Sequence, residues 1–241
     1  MAFILPRCTF PSFPFSKGLF VSTLCLIGVV VDSAIQTISN DGTEKASEAT
    51  LKEAETTQRR PPKNITSYNM DTIDSLMIVE EHIQNEDYTE AEQKLADIWT
   101  NEAELTLSEK ADLIYMSSRI SLMQQNMEAT IGHLEKVLEY RDNITYAREE
   151  EVLLRLAKLY LAEKEHVKAH GRLNEWLEIV EQPKANELAF AGSLFVAITS
   201  YARAKKYLKR AIDQQEANGL EVDAQWFELL DYVEKRLDTE I

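Results

Sequence analysis

The side chains able to do chemistry in this sequence are few and scattered. His166 and His170 stand four residues apart, a spacing that sets two imidazoles on one helix face as metal ligands require. Neither has a cysteine or a third histidine near it in the sequence, so packing and solvation account for both better than a metal does. Glu80-Glu81-His82 lies in an acidic stretch that reads as a solvated helix face. Carboxylates total 41, but general acid–base work needs a pocket that shifts one member of a pair, and no residue pattern singles a pair out. GxSxG, Walker and Gly-rich dinucleotide motifs are all missing. Cys8 and Cys25, the two thiols, both fall within the first 34 residues, so a chain that loses this leader has neither a disulfide nor a thiolate. The expectation is a protein with no catalytic residue, no metal and no cofactor.

What these residues sit on is more informative. From Asp71 onward the chain has four glycines and one proline, Pro183, with Leu, Ala, Glu and Lys dominant. That is the composition of helices packed on helices; a β-protein needs far more turn residues. The formal net charge is −15, and such an acidic body repels nucleic acid and anionic lipid headgroups at long range. Nucleic acid is therefore excluded as a partner.

Four segments repeat one pattern: NEDYTEAEQKLADI, QQNMEATIGHLEKVL, EKEHVKAHGRLNEWL and ITSYARAKKYLKRAI. Bulky residues Tyr88, Met127, His166 and Tyr201 align at a turn. Three residues on come Ala91, Thr130, Ala169 and Ala204, where two helices would cross too closely for a large side chain. Then follow Leu95, Leu134, Leu173 and Leu208, and after them Ile98, Val137, Trp176 and Ala211. Steps of three and four keep each set on one helix face. The helices before these turns show Leu153, Leu156, Ala157 and Tyr160 in the third unit, and Leu188, Ala191, Gly192 and Phe195 in the fourth. A non-repeating bundle shares the apolar spacing, but four recurrences favour a repeat. This pattern resembles the tetratricopeptide-repeat family, whose repeat is about 34 residues. Here the units are 39, 39 and 35 residues apart, with the surplus expected in loops such as EYRDNITYARE. The first two units depart from the pattern, with Ser117-Ser118 in place of a large–small pair and Val79 where a small residue belongs. The resemblance implies an all-α solenoid of about four helix pairs over residues 69–241, with AQWFELLDYVEKRL as a capping helix after the Asn218-Gly219 stop.

The stretch from Glu175 to Leu230 is similar to a narrower group, the bacterial periplasmic repeat proteins associated with TonB-type energy-transduction systems. The similarity is carried by Trp176-Leu177 before Pro183, by Tyr201-x-x-Ala-x-x-Tyr-Leu-x-x-Ala-Ile, by Ala217-Asn218-Gly219 and by Gln225-Trp226-Phe227-x-Leu-Leu. It implies an envelope accessory protein with protein partners, TonB-type transducer components among them. The chain is shorter than that group's members, which carry more repeats.

The N-terminal residues agree with export. Arg7 and Lys17 precede the 14-residue apolar run Gly18 to Val31, the length of a signal-peptide core and short for a bilayer span. Residues 1–34 are expected to be a signal peptide, with an uncleaved inner-membrane anchor as the alternative; membrane contact is expected only through this segment. Residues 35–68 are polar and end near Pro61-Pro62, which reads as a disordered linker. Asn64-Ile65-Thr66 and Asn143-Ile144-Thr145 match the glycosylation sequon. The expected location is periplasmic, as a soluble adaptor, or inner-membrane anchored, as a structural subunit of an envelope assembly machine.

In a stack of helix pairs the first helix of each pair lines the concave side. Register puts Leu76, Tyr115, Leu154 and Ala189 in one row, Glu80, Arg119, Lys158 and Ser193 in the next, and Ile83, Leu122, Leu161 and Val196 beyond. Arg119 and Lys158 are expected to form a basic strip for a partner carboxylate, beside an apolar surface of Tyr115, Met123 and Leu154. The alternative is two solvated side chains countering local acids.

Overall fold

The computed structural model describes residues 60–239, which form α-helices and no strand. The helices are α1 Met70–Gln84, α2 Tyr88–Trp99, α3 Leu107–Met123, α4 Met127–Leu138, α5 Tyr146–Ala162, α6 His166–Ile179, α7 Ala185–Ala197, α8 Tyr201–Ala217 and α9 Ala224–Thr239. They pack as four hairpins in chain order, with α9 against α8. The first helices α1 and α3 touch directly across neighbouring pairs, and α7 touches the capping helix α9, so the first-helix side is the inner one. Among the described residues no helix is long and apolar enough to cross a membrane. The leader expected over residues 1–34 and the linker as far as residue 59 lie outside the described residues.

Every hairpin turns the same way. The first helix ends with one residue in the left-handed region: Glu86 (φ 63°), Gln125 (φ 61°), Lys164 (φ 62°) and Thr199 (φ 58°). The next backbone N–H then reaches five residues back, as Asn126 does to the Ser121 carbonyl at 2.8 Å and Ser200 to Phe195 at 2.8 Å. This is a Schellman stop, built here without glycine. Glycine takes the equivalent place only after α8, where Gly219 has φ 68°. The aligned bulky residues Tyr88, Met127, His166 and Tyr201 are each the first residue of a second helix.

Within the hairpins the repeat-packing residues are buried: Ala91, Leu95, Leu134, Ala169, Leu173, Gly192, Ala204, Leu208 and Ala211. At Gly192 the helices cross closely: an added Cβ would lie 2.6 Å from Leu208 Cγ. The polar residues at the crossings of the second unit have local explanations. Ser118 is buried but donates its hydroxyl to the Tyr115 carbonyl at 2.6 Å, and Thr130 donates to Asn126 at 2.7 Å, so neither leaves a polar group unpaired. Surplus residues form short 3-10 turns at Glu102–Glu104 and Arg141–Asn143.

The linker expected up to residue 68 ends earlier. From Arg60 to Asn69 the chain is a strap across the first turns of α3 and α5, running against the repeat order. Asn69 N–H donates to Glu109 at 2.7 Å, Thr66 N–H to Ser108 Oγ at 3.1 Å, and Asn64 N–H to the Asp142 carbonyl at 2.6 Å. Lys63 Nζ reaches Glu149 at 2.6 Å and the Arg141 carbonyl at 2.9 Å, and Tyr146 donates to the Pro61 carbonyl. Arg60 ends the strap on Glu150 (3.0 Å) and Glu181 (2.9 Å). The polar composition that suggests a linker is here matched by the buried polar groups Ser108, Glu109, Asn143 and Glu149 beneath. Asn143 spends its Nδ2 on the Asn64 carbonyl at 2.9 Å and is buried, so its sequon has no room for a sugar; Asn64 is exposed.

Candidate interaction groove

The inner face is built from the first helices, and its rows differ in character. In the first row Tyr115, Leu154 and Ala189 are buried, Tyr115 to 5% and Leu154 to 8% exposure. The apolar surface expected of Tyr115 and Leu154 is therefore covered; Met123, at 50%, is the exposed member of that trio. What covers Tyr115 is polar. The Arg148 guanidinium lies 3.6 Å above its ring centroid, and its hydroxyl donates to Glu151 at 2.5 Å. Arg148 also reaches Asp112, which accepts from strap residue Tyr68 at 2.7 Å, and Arg155 pairs with Glu151 at 2.8 Å. Burial, then Glu151, pushes the Tyr115 hydroxyl above the usual tyrosine range.

The second row does not hold a free basic strip. Arg119 is engaged by Glu80 of the preceding pair through both terminal nitrogens, one bond measuring 3.0 Å. The Arg119 hydrogen bond holds the Glu80 carboxyl below its ordinary value, and the Glu80 bond raises Arg119. Register thus pairs two members of one row and leaves Lys158 as its remaining cation. Lys158 is exposed, has no carboxylate within 4 Å among the described residues, and places Nζ 5.4 Å from the Phe190 ring centroid. Partial desolvation, with Arg155 nearby, holds its ammonium below the usual lysine range against the pull of Glu187. Ser193 beside it is exposed and donates to the Ala189 carbonyl in its own helix.

In the third row Leu122, Leu161 and Val196 are half-buried, with Met123, Ala162 and Ala197 exposed next to them. The groove is then an apolar band over three pairs, one cation in its middle, and a wall of mutually paired charges along the strap side. Elsewhere, His166 opens α6 on the surface, while His170 Nε2 lies 3.0 Å from Asn174 and 3.2 Å from Arg203.

This helix order and hairpin geometry recur in solved structures. PilF of Pseudomonas aeruginosa shares 18% identity over 65% of each chain, with a TM-score of 0.52. The nearly identical TPR-like repeats of a putative kinesin light chain from Podosopora anserina match 72% of this chain and 90% of theirs at 13% identity, TM-score 0.51. The fold is a tetratricopeptide-repeat solenoid. A chain of the APC/C hetero-tetramer Cut9-Hcn1 has the same solenoid over 67% of this chain and 29% of its own, at 14% identity and TM-score 0.50. No family model and no curated protein sequence matches the chain. It spans about two thirds of PilF, 65% of that chain.

Arg60, Lys63, Thr66 and Tyr68 are missed by sequence reasoning, because an extended strap carries no apolar period. Pro61-Pro62, which forbids a helix there, is the one available signal.

Proposed function

We propose that the chain is a non-catalytic scaffold that takes an extended segment of another protein into its inner groove. The observation that carries this is Lys158, a cation of the inner face with no carboxylate within 4 Å among the described residues, set against the apolar band of Leu122, Leu161 and Val196. A segment that fits has an acidic side chain or terminal carboxylate for Lys158 and apolar side chains on either side. The carboxylate gains a charge-assisted bond and the apolar groups leave water. Cut9-Hcn1, with a similar solenoid, is itself a hetero-complex, which supports a role in holding chains together.

The partners we propose are cell-envelope proteins, TonB-type transducer components first among them, met in the periplasm. The residues from Glu175 to Leu230 support this through their similarity to periplasmic repeat proteins of such systems. A second reading, a subunit of an envelope assembly machine held at the inner membrane, follows if the apolar run Gly18 to Val31 is retained. The mature N-terminus separates the two: a start near Ile35 favours the soluble adaptor, an intact leader the anchored subunit.

The test places a photo-crosslinking amino acid at Ser193 in the full-length protein, in cells, with Lys158→Glu as companion. Adducts with TonB-type components that vanish in K158E are expected. Adducts with other envelope proteins keep the scaffold and remove the TonB assignment; no groove adduct, or adducts indifferent to K158E, overturn the reading.

A further inference from the structure

Five of the 26 lysines and arginines of this acidic chain crowd into one stretch. Arg203, Lys205, Lys206, Lys209 and Arg210 fall within eight residues of α8, in a protein of net charge −15. They divide into two faces. Lys205 and Lys209 turn to α9, where both reach Glu234, at 2.9 and 3.6 Å. Arg203, Lys206 and Arg210 stand at i, i+3 and i+7 and are exposed. No carboxylate lies within 4 Å of these three among the described residues. Six other arginines, Arg60, Arg119, Arg141, Arg148, Arg155 and Arg172, are each in an ion pair.

The unpaired face is also stiffened. The Arg203 guanidinium lies 4.0 Å over the Phe195 ring centroid and donates to Asn174 Oδ1 at 2.9 Å. Lys206 and Arg210 flank Tyr207, each 5.8 Å from its centroid, and Tyr207 stacks on Phe195 at 5.3 Å. The side chains thus give up less freedom on binding than solvated lysines and arginines do.

We propose that this face of α8 is a second docking surface, whose occupant is an acidic segment of a partner protein. Three cations spread along about 10 Å of helix match carboxylates on one face of a partner helix or on alternate residues of an extended strand. The acidic remainder of the molecule does not cancel this attraction at contact, because charges are screened over about 8 Å at physiological salt. The strip is one helix wide, and exposed Asp213 and Glu216 follow on the same helix. A narrow acidic segment avoids them, whereas a flat anionic bilayer meets them together with the cations. As α8 is the second helix of its pair, this surface is distinct from the inner groove.

The experiment titrates a short fluorescent peptide, with glutamate at every third or fourth position, into the full-length protein and follows anisotropy. Saturable binding that weakens as salt rises is expected. The variant Lys206→Gln with Arg210→Gln should bind about tenfold more weakly, while Lys110→Gln, whose ammonium pairs with Glu102 on the second pair, binds as the parent does. Asp213→Lys should tighten binding, which keeps the test decisive if the double variant folds poorly. No saturable binding at low salt, or equal affinity in K206Q/R210Q and parent, overturns the proposal. So does co-sedimentation with phosphatidylglycerol vesicles, lost in K206Q/R210Q, without peptide binding, since it assigns the face to a membrane.

Discussion

At the scale of single residues, two glycines in the same repeat grammar have opposite fates. Gly192 sits where α7 crosses α8, and an added methyl would meet Leu208 Cγ at 2.6 Å and Cδ2 at 2.9 Å, with the Leu208 backbone nitrogen at 3.3 Å behind. Leu208 is fully buried and has nowhere to withdraw, so Gly192→Ala should cost about 1–3 kcal/mol of unfolding free energy. Gly171 is exposed within α6 with nothing within 4 Å, so Gly171→Ala should stabilise by up to about 1 kcal/mol. Urea melts of the two variants check both signs. The small residue at a crossing was legible, since Ala91, Thr130, Ala169 and Ala204 recur at steps of 39, 39 and 35, and Ala157 stands 35 residues before Gly192. The fate of Arg119 was not. Its row sets Glu80, of opposite charge, one repeat before it, but row position alone does not give the side-chain reach that closes the pair and withdraws Arg119 from the groove. Nor was Lys63 legible, whose ion pair with nearly buried Glu149 spans 86 residues. Lys63→Ala leaves that carboxylate with only Arg141 at 3.8 Å, and should cost about 3 kcal/mol in the same melts.

At the scale of elements, the helices and their order follow from the sequence because burial on one face imposes a period. The places of the turns follow too, marked by Tyr88, Met127, His166 and Tyr201, but their left-handed conformation does not, because the residues that adopt it disfavour it. Thr199 is the extreme case, a β-branched residue at φ 58°, held there by the Ser200 N–H to Phe195 carbonyl bond. Thr199→Gly should stabilise by about 1 kcal/mol, because relief of left-handed strain exceeds the chain entropy glycine adds. Thermal melts of T199G against the parent check the sign. The strap escaped the reading for a complementary reason. Its polar residues signal exposure, yet they satisfy a buried polar track that no local pattern in residues 60–69 reveals.

At the scale of the whole molecule, acid should loosen the solenoid. Arg119 holds Glu80 below the ordinary 4.5. Burial raises Glu109 and Glu175, but backbone N–H groups of Thr106 and Asn69 outweigh it for Glu109, and Arg141 and Arg172 do so for Glu175. Each lowered carboxyl is protonated first in the unfolded chain as pH falls. Its contribution is present above pH 4.5 and is lost as pH falls through the folded value. His133 and His170 are lowered from 6.5 by burial, helped by Lys136 and Arg203, so their contribution begins to fall below pH 6.5. Glu150, raised by burial, works in the opposite sense. The net expectation is a melting temperature that declines from pH 6.5 and steepens below 4.5, followed by circular dichroism; a flat profile would remove these charges from the stability balance. The strap adds a mechanical property. A pull applied to the N-terminal side of Arg60 enters the solenoid at Glu150 and Glu181, on the third pair, and not at α1. Because the strap runs against the repeat order, it must peel one bond group at a time, from Arg60 through Lys63 and Asn64 to Thr66 and Asn69, before α1 bears load. Under such a pull the strap would act as a shock absorber, giving way before the first hairpin is loaded.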